Sequence, residues 1–277
     1  MLIFTDLDGT LLDHDTYRWD EAKPALSLCR RLEVPVILVS SKTRAELHAL
    51  HIELGLSSPF VSENGGGIFF PAESPLEPPS EALRVDGLRR WSLGSFYPEL
   101  VAALQEIRNE LSWNIRGFSD MPVEEVSKLT GLDSERARLA AMREYDEPFV
   151  VLGLEEVDRK RLGEAAAKRG LQVTEGGRFY HLHGTSDKGQ AFDKLARWYE
   201  RHCGPVTTMA IGDGPNDFAM LKRADYPVLV KSPRTYPEIL EEIPSLKITE
   251  QPGPSGWNAA VNDFLGEKCY RGDHGHV

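Results

Sequence analysis

Short apolar runs alternate with amphipathic segments in the first part of the chain. The run from Leu2 to Phe4 is apolar on both faces and stops at carboxylates and a glycine, so it predicts a buried parallel strand. Asp20 to Leu32 has apolar residues at loosely helical spacing, which predicts a crossover helix. The chain then returns to a second apolar strand over Val34 to Val39. This order predicts an α/β fold.

The same alternation returns in the last part of the chain. Lys188 to His202 is predicted to be helical, Thr207 to Ile211 to be a strand, and Trp257 to Leu265 to be the last helix. Both ends of the chain therefore contribute to one unit. We predict a Rossmann-like core with a mainly parallel sheet flanked by helices.

From about Leu83 to about Thr185 the pattern changes to strand and helix units that belong together. Pro98 to Leu111 places its apolar residues on one face, which predicts an amphipathic helix. Leu171 to Thr174 and Arg178 to Leu182 flank two glycines and predict a hairpin. We therefore predict an inserted α+β cap domain. The predicted division is core 1–82, cap 83–185, core 186–265 and a flexible polar tail over 266–277.

Composition restricts the class of partner and the compartment. Of 277 residues, 41% are hydrophobic, and Lys plus Arg number 32 against 43 Asp plus Glu, a formal charge of −11. A nucleic-acid partner is disfavoured because it would require a basic face. The three cysteines form no metal or disulfide spacing, and no apolar run approaches the ~18 residues of a membrane span. We expect a cytoplasmic monomer or homodimer without a membrane partner.

Candidate chemistry lies where the predicted strands end. Asp6 and Asp8 follow the first strand, and in an open α/β sheet ligands bind at the carboxyl ends of strands. Two carboxylates separated by one residue hold a hard cation through a side chain and a backbone carbonyl. Ser40 ends the second strand, Lys188 opens a helix, and the loop from Gly212 to Asp217 follows a third strand.

These four pieces, in this order, resemble the haloacid dehalogenase superfamily of phosphohydrolases. The resemblance implies that Asp6 is a nucleophile that forms an aspartyl-phosphate. It implies that Asp8 protonates the leaving oxygen and later activates water. Ser40 would donate a hydrogen bond to the phosphoryl group, and Lys188 would neutralise the charge of that group and of the nucleophile.

The same resemblance implies a metal site. Asp213 would complete an oxygen shell with Asp6 and the carbonyl of Asp8, and oxygen ligands with remaining water favour Mg²⁺. Asp217 is either a further ligand or a group that orients one, and we favour the second role. The predicted cofactor is Mg²⁺, and the metal candidates are Asp6, Asp8, Asp213 and Asp217.

The large insert is similar to the members of the superfamily that carry a C2-type cap. Four segments narrow the resemblance to the mannosyl-3-phosphoglycerate phosphatase family: 39–43, 63–66, 143–149 and 177–182. The resemblance implies hydrolysis of mannosyl-3-phosphoglycerate to mannosylglycerate, a compatible solute, and phosphate. A glucosyl-3-phosphoglycerate phosphatase, a broader sugar-phosphate phosphatase and a phosphomannomutase-like phosphotransferase remain alternatives.

Such a substrate, a phosphorylated sugar-glycerate, carries a carboxylate, for which guanidinium groups are suited. Arg143 and Arg178 in the cap and Lys42 in the core are the candidates, with surface solvation as the alternative for each. His181 and Glu147 are weaker candidates for sugar hydroxyls, and packing within a strand is the alternative for His181. The predicted substrate-binding residues are Lys42, Asn64, Gly65, Arg143, Arg178 and His181.

Overall fold

The structure is a computed structural model that describes residues 1–153, 156–176 and 178–272. Its strands are β1 (Leu2–Thr5), β2 (Val36–Leu38), β3 (Phe60–Ser62), β4 (Gly67–Phe70), β5 (Leu83–Val85), β6 (Leu88–Ser92), β7 (Asn114–Gly117), β8 (Asp146–Leu152), β9 (Gln172–Gly176), β10 (Phe179–His183), β11 (Thr208–Gly212), β12 (Tyr226–Lys231) and β13 (Lys247–Pro252). Its helices are α1 (Lys23–Arg31), α2 (Arg44–Glu53), α3 (Tyr97–Leu111), α4 (Val123–Thr130), α5 (Ser134–Ala140), α6 (Arg159–Ala167), α7 (Lys188–Cys203), α8 (Phe218–Leu221), α9 (Pro237–Glu242) and α10 (Gly253–Gly272).

A parallel sheet of order β13-β12-β11-β1-β2 forms the centre of the molecule. Leu2 lies opposite Thr208 of β11, and Ile3 lies opposite Val36 of β2. The first strand of the chain is therefore an interior strand, flanked by one neighbour from each end of the sequence. This parallel sheet, flanked by helices, confirms the predicted α/β class.

Both faces of β1 are buried, as its uninterrupted apolar run predicts. Ile3 packs into a cluster with residues of α1 and α10. Phe4 points to the opposite face, where its ring centroid lies 4.3 Å from that of Phe192 in α7. Trp257 of α10 is fully buried and donates from Nε1 to the hydroxyl of Thr5 at 2.9 Å. The strand that carries the first carboxylates is thus fixed from both sides.

Two further sheets, both antiparallel, are built from the middle of the chain. The first has the order β3-β4-β6-β5 and the second the order β7-β8-β10-β9. Leu104 and Ile107 of α3 and Leu162 of α6 pack with Phe149 of β8 in a separate hydrophobic cluster. The second sheet therefore has a hydrophobic core that is distinct from those of the central sheet.

The hydrogen bonds of β5 and β6 bear on where the insert begins. β5 pairs with β6, β6 pairs with β4, and β4 pairs with β3. β3 in turn joins the central sheet through a bridge between Val39 and Val61. Residues 83–92 therefore extend a sheet that is attached to the core. The division into core and cap stays a prediction, and this pairing favours a boundary near Gly94 in place of Leu83.

The C-terminal part differs from the sequence-based expectation in two elements. Strand β13 was not predicted, because it is a polar edge strand whose residues are mostly exposed. Helix α10 continues through Gly272, so residues 266–272, expected to be part of a polar tail, have helical backbone. The rest of that tail, with His274 and His276, and Gly177 of the predicted hairpin lie outside the described residues. Among the described helices, none combines the length and apolar character needed to cross a membrane.

Candidate active site

The carboxyl ends of β1 and β11 bring two acidic loops together. The backbone N–H of Asp6 donates to the carbonyl of Ile211 at 2.9 Å, so the loop that begins at Asp6 lies beside the one that contains Asp213. Gly9 has a φ of +77°, and a Cβ atom there would lie 2.8 Å from Asp213 Oδ2. Glycine is therefore required at this turn both by the backbone conformation and by the close approach of the carboxylate.

Lys188 is the central cation of the site. Its side chain is 0% exposed, and its Nζ lies 2.6 Å from Asp6 Oδ1 and 2.6 Å from Asp217 Oδ1. Burial alone would lower the pKa of this lysine, but Asp217 and Asp6 hold it above its usual value. Lys188 is therefore charged, and it fixes the orientation of both carboxylates.

Asp217 is held by protein donors on both of its oxygens. Besides accepting from Lys188, it accepts through Oδ2 from the backbone N–H groups of Asp213 at 3.0 Å and Gly214 at 3.1 Å. A Cβ on Gly212 would lie within 2.5 Å of this carboxylate. These contacts suit a group that orients the Asp213 loop, which is the role favoured from the sequence.

Asp213 lies beside two other carboxylates, and the positive charge of Lys188 does not fully offset their negative charge. Burial, with the nearby carboxylates of Asp6 and Asp217, raises its pKa to about 7. One oxygen from each of these three residues lies within 4.8 Å of the others. A hard divalent cation would relieve this repulsion, and an all-oxygen donor set fits Mg²⁺. Asp8 adds a buried Oδ1 that has no hydrogen-bond partner among the described residues.

Lys42 lies directly beside Asp8. Its Nζ is 2.8 Å from Asp8 Oδ2, a pairing that the sequence did not predict. The neighbouring Ser40 is buried, and its Oγ accepts from the backbone N–H of Lys42 at 3.3 Å. The loop after β2 therefore contributes a hydroxyl and an ammonium group to the same edge of the sheet as the acidic loops.

The loop after β3 lies against the start of α7. Asn64 Oδ1 accepts from Asn216 Nδ2 at 3.4 Å, which joins this loop to the one that carries Asp213. Gly65 has a φ of +101°, and a Cβ there would lie 2.2 Å from the carbonyl oxygen of Asp187. Asn64 is thus at the rim of the site, whereas Gly65 permits close packing beside Lys188.

Arg143 connects the cap to the loop after β2. Its Nη1 donates to the carbonyl of Ser41 at 3.0 Å and lies 3.3 Å from Asp146 Oδ2. His181 Nδ1 lies 2.8 Å from the same oxygen of Asp146. These groups form one buried network in which Arg143 already has a carboxylate partner. Direct contact of Arg143 or His181 with a substrate stays a prediction.

The other cap candidates also have protein partners. Arg178 is exposed, and its Nη1 donates to the carbonyl of Leu129 at 2.9 Å. Glu147 is fully buried, and it accepts from the hydroxyl and the N–H of Ser119. Burial raises the pKa of Glu147, although its contacts with Ser119 and Tyr97 oppose this. Neither side chain reaches the acidic loops through a contact among the described residues.

Glu63 is a residue of this region that the sequence did not single out as a functional candidate. Its carboxylate accepts from the backbone N–H groups of Glu144 at 3.0 Å and Tyr145 at 2.8 Å, and burial raises its pKa to about 8. It follows β3 directly, as Asp6 follows β1. That shared position after a buried strand was the signal that could have identified it.

Comparison with known proteins agrees with this geometry. Residues 3–77 and 159–235, more than half of the chain, match the family model of the haloacid dehalogenase-like hydrolases. The chain belongs to this family. As a member of the family it is a hydrolase, and the resemblance seen in the sequence motifs is confirmed.

Two curated relatives extend over nearly the whole chain. A protein of Methanococcoides burtonii, named glucosyl-3-phosphoglycerate/mannosyl-3-phosphoglycerate phosphatase, is 42% identical over 268 residues, which is 96% of this chain and 97% of the relative. A protein of Persephonella marina with the same name is 38% identical over 272 residues, covering 96% and 98%.

A solved structure from Thermoplasma acidophilum superposes with a TM-score of 0.68 at 20% identity, covering 95% of this chain and 97% of that one. At this level of identity the likeness concerns the fold. It extends over the core and the insert alike, so the whole arrangement has precedent in a solved structure.

Proposed function

We propose that the chain is a Mg²⁺-dependent phosphatase that hydrolyses mannosyl-3-phosphoglycerate and glucosyl-3-phosphoglycerate to the glycosylglycerate and phosphate. The observation that carries the proposal is the buried Lys188, bonded at 2.6 Å to Asp6 and at 2.6 Å to Asp217 beside Asp213. The names of the two nearly full-length relatives support the choice of substrates.

The first step uses Asp6 and Asp8. Lys188 holds Oδ1 of Asp6, which leaves Oδ2 to attack phosphorus. A new bond forms between Asp6 and phosphorus, and the bond from phosphorus to the glycerate oxygen breaks. Asp8 gives its proton to that oxygen, so that the leaving group departs as an alcohol. Ser40 donates its hydroxyl hydrogen to a phosphoryl oxygen.

The second step regenerates both carboxyl groups. Asp8, now ionised, accepts a proton from water, and the resulting hydroxide attacks phosphorus. The bond between phosphorus and Asp6 breaks, phosphate leaves, and Asp8 is again protonated. Because the same carboxyl group gives and regains one proton, no other proton donor is required.

Mg²⁺ would be held by Asp6, Asp213 and the carbonyl of Asp8. When bound, it supplies positive charge that offsets the charge of the phosphoryl oxygens. The raised pKa of Asp213, caused by burial and by neighbouring carboxylates, supports a cation at this position. Asp217 acts by orienting the Asp213 loop through two backbone N–H groups.

The test is phosphate release by the purified protein with millimolar Mg²⁺. Mannosyl- and glucosyl-3-phosphoglycerate should be cleaved with a higher kcat/KM than mannose 6-phosphate, and chelation of the metal should abolish release. Preference for hexose phosphates would favour a broader sugar-phosphate phosphatase. Turnover that depends on a bisphosphate and releases no free phosphate would favour a phosphotransferase.

We also propose that the protein acts in the cytoplasm on this small-molecule substrate, as a monomer or homodimer. The formal charge of −11 supports the absence of a nucleic-acid partner, because phosphate backbones would be repelled. Fractionation of cells and the mass of the purified protein in solution would test these points.

A further inference from the structure

A single aromatic ring aligns two cations at the boundary between the core and the cap. Tyr17 lies in the loop between β1 and α1, has a φ of +56° and is 38% exposed. Lys42 Nζ lies 5.2 Å from the centroid of its ring, and Cζ of Arg136 lies 5.9 Å from the same centroid. We call Lys42 and Arg136 the boundary cation pair.

The position of Arg136 follows from how α5 docks on the core. The hydroxyl of Thr43, which caps α2, donates to the carbonyl of Leu139 at 2.9 Å. Arg136 precedes Leu139 by three residues, about one helical turn, and its exposed side chain extends to the ring of Tyr17. Arg138, two residues after Arg136, projects from another side of the same helix and is exposed.

Arg136 is also free to change partners. Its Nε lies 3.6 Å from Asp133 Oδ2, but the two side chains are 59% and 62% exposed. Such a solvated pair contributes little to stability, so its loss on ligand binding costs little. Arg143, by contrast, is buried against Asp146, and Arg178 donates to a backbone carbonyl within the cap.

Lys42 lies where the leaving group of the proposed reaction must be. It is 2.8 Å from Asp8 Oδ2, and in the proposed function Asp8 protonates the oxygen that joins phosphorus to the glycerate. The carboxylate of that glycerate is at the far end of a three-carbon chain from the phosphate. Lys42 lies next to Asp8, and Arg136 lies further from Asp8, on the cap side. The two cations therefore suit a carboxylate that lies beyond the oxygen that Asp8 protonates.

Resting on the proposed function, we infer that Lys42 and Arg136, aligned by the ring of Tyr17, bind the carboxylate of the glycerate leaving group. The guanidinium of Arg136 can form a bidentate hydrogen-bonded contact with the carboxylate, and the ammonium of Lys42 provides a compact positive charge. In binding, the carboxylate replaces Asp8 as the partner of Lys42 and Asp133 as the partner of Arg136. This assigns recognition of the acid to the boundary cation pair in place of Arg143 and Arg178.

The main experiment compares Arg136→Ala with Arg138→Ala, a matched change on the same helix. Arg136→Ala should lower kcat/KM for mannosyl-3-phosphoglycerate by about 10- to 100-fold, the loss of one charge-assisted contact. The kcat/KM for mannose 6-phosphate, which has no carboxylate, should be unchanged. Arg138→Ala should alter neither value.

Changes at Tyr17 test the alignment of the two cations. Tyr17→Phe keeps the face of the ring and should retain wild-type selectivity for the acid. Tyr17→Leu removes the ring and should lower kcat/KM for the acidic substrate by about 2- to 5-fold, with mannose 6-phosphate unaffected. Equal behaviour of the Phe and Leu variants would overturn the role given to the ring.

Inhibition by 3-phosphoglycerate separates this inference from the proposed function. Its inhibition constant, measured with mannose 6-phosphate as substrate, should rise about 10-fold or more in Arg136→Ala, whereas that of inorganic phosphate should not change. A wild-type enzyme that fails to cleave either glycosyl phosphoglycerate refutes the proposed function. An unchanged inhibition constant, or an equal loss on acidic and neutral substrates, refutes the inference.

Discussion

The carboxyl ends of the central strands, which form the sheet edge that carries the acidic loops, differ from the boundary between core and cap in how charged side chains are held. At the sheet edge, Lys188 and Asp217 are 0% exposed and each has several protein partners. At the boundary, the pair between Arg136 and Asp133 is 59% and 62% exposed and lies at 3.6 Å. The first arrangement fixes groups that must be in place before the reaction. The second leaves groups free to meet a substrate.

The consequences of losing a group should differ in the same way. Removing one partner of a buried ion pair is costly because the remaining charge is neither paired nor hydrated. Removing one partner of an exposed pair costs little because water hydrates the remaining charge. Changes at the sheet edge should therefore affect stability and the rate with every substrate. Changes at the exposed Arg136 should affect selectivity with little effect on stability.

The largest effect is expected for Asp6→Asn, which removes the proposed nucleophile and keeps its shape. Turnover should fall on the order of 10⁴-fold or more with every phosphate ester, while the far-UV circular dichroism stays that of the wild type. Asp13→Asn, a change in the same loop region, serves as control and should retain activity. Near wild-type turnover in Asp6→Asn would contradict the role of Asp6 as nucleophile.

Lys188→Met should give the next largest effect, and it should be seen in stability. The change leaves Asp6 and Asp217 without their buried cation, which should lower the free energy of unfolding by about 3–5 kcal/mol. Urea denaturation measures this. Lys194→Met, on the exposed side of the same helix, removes a cation over Trp91 and should cost about 1 kcal/mol or less. Equal losses in the two variants would contradict the contrast.

Glu63 lies at the boundary, and its titration should make the free energy of unfolding depend on pH. Burial raises its pKa to about 8 from 4.5, so between these values the folded protein holds a proton that the unfolded chain has lost. Its contribution is complete below about pH 4.5 and is lost as pH rises towards 8. Wild-type stability should therefore fall, relative to Glu63→Gln, on the order of a few kcal/mol between pH 5 and pH 8. The same pH dependence in both proteins, measured by urea denaturation, would contradict a neutral Glu63.

The smallest effect is expected for Arg143→Lys. The charge beside Asp146 is kept, but the Nε hydrogen bond to the carbonyl of Ala140 is lost. The free energy of unfolding should fall by about 1 kcal/mol. Arg178→Lys, at an exposed site, should leave stability and the KM for mannosyl-3-phosphoglycerate unchanged. If instead Arg178→Lys raised that KM strongly, Arg178 would take part in recognising the carboxylate.

The central part of the fold was predictable because its signals are local. The apolar run of Leu2 to Phe4 is followed by Asp6, and the run before Ser40 is followed by a capped helix. The strands, the turns and the order of the elements could therefore be predicted from short stretches of sequence. β13 was missed because a polar edge strand buries little and has no apolar pattern. The pairing of β5 and β6 with the sheet that contains β3 and β4 was not predicted, because the sheet partners of a strand are not encoded in its own residues.

The acids of the candidate site were predictable for the same reason, since each follows a strand. The partners of the cations were not. Contact of Arg143 with a substrate stays a prediction, and its pairing with Asp146 and the carbonyl of Ser41 was not expected. Tyr17 and Arg136 are far apart in sequence, and no local sequence pattern predicts their contact. Side-chain pairing between domains depends on docking, which the sequence does not reveal residue by residue.

The pairing of β1 with β11 has a consequence for the order of events during synthesis. Leu2 lies opposite Thr208, so the strand that bears Asp6 emerges from the ribosome long before its neighbour. The sheet β7-β8-β10-β9 comes entirely from residues made in between, and it can form while β1 still lacks a partner on one side. Asp6, Lys188 and Asp217 meet only after more than 200 residues that follow Asp6 have been made. A nascent chain therefore has no competent phosphatase site until the residues through Asp217 have been made.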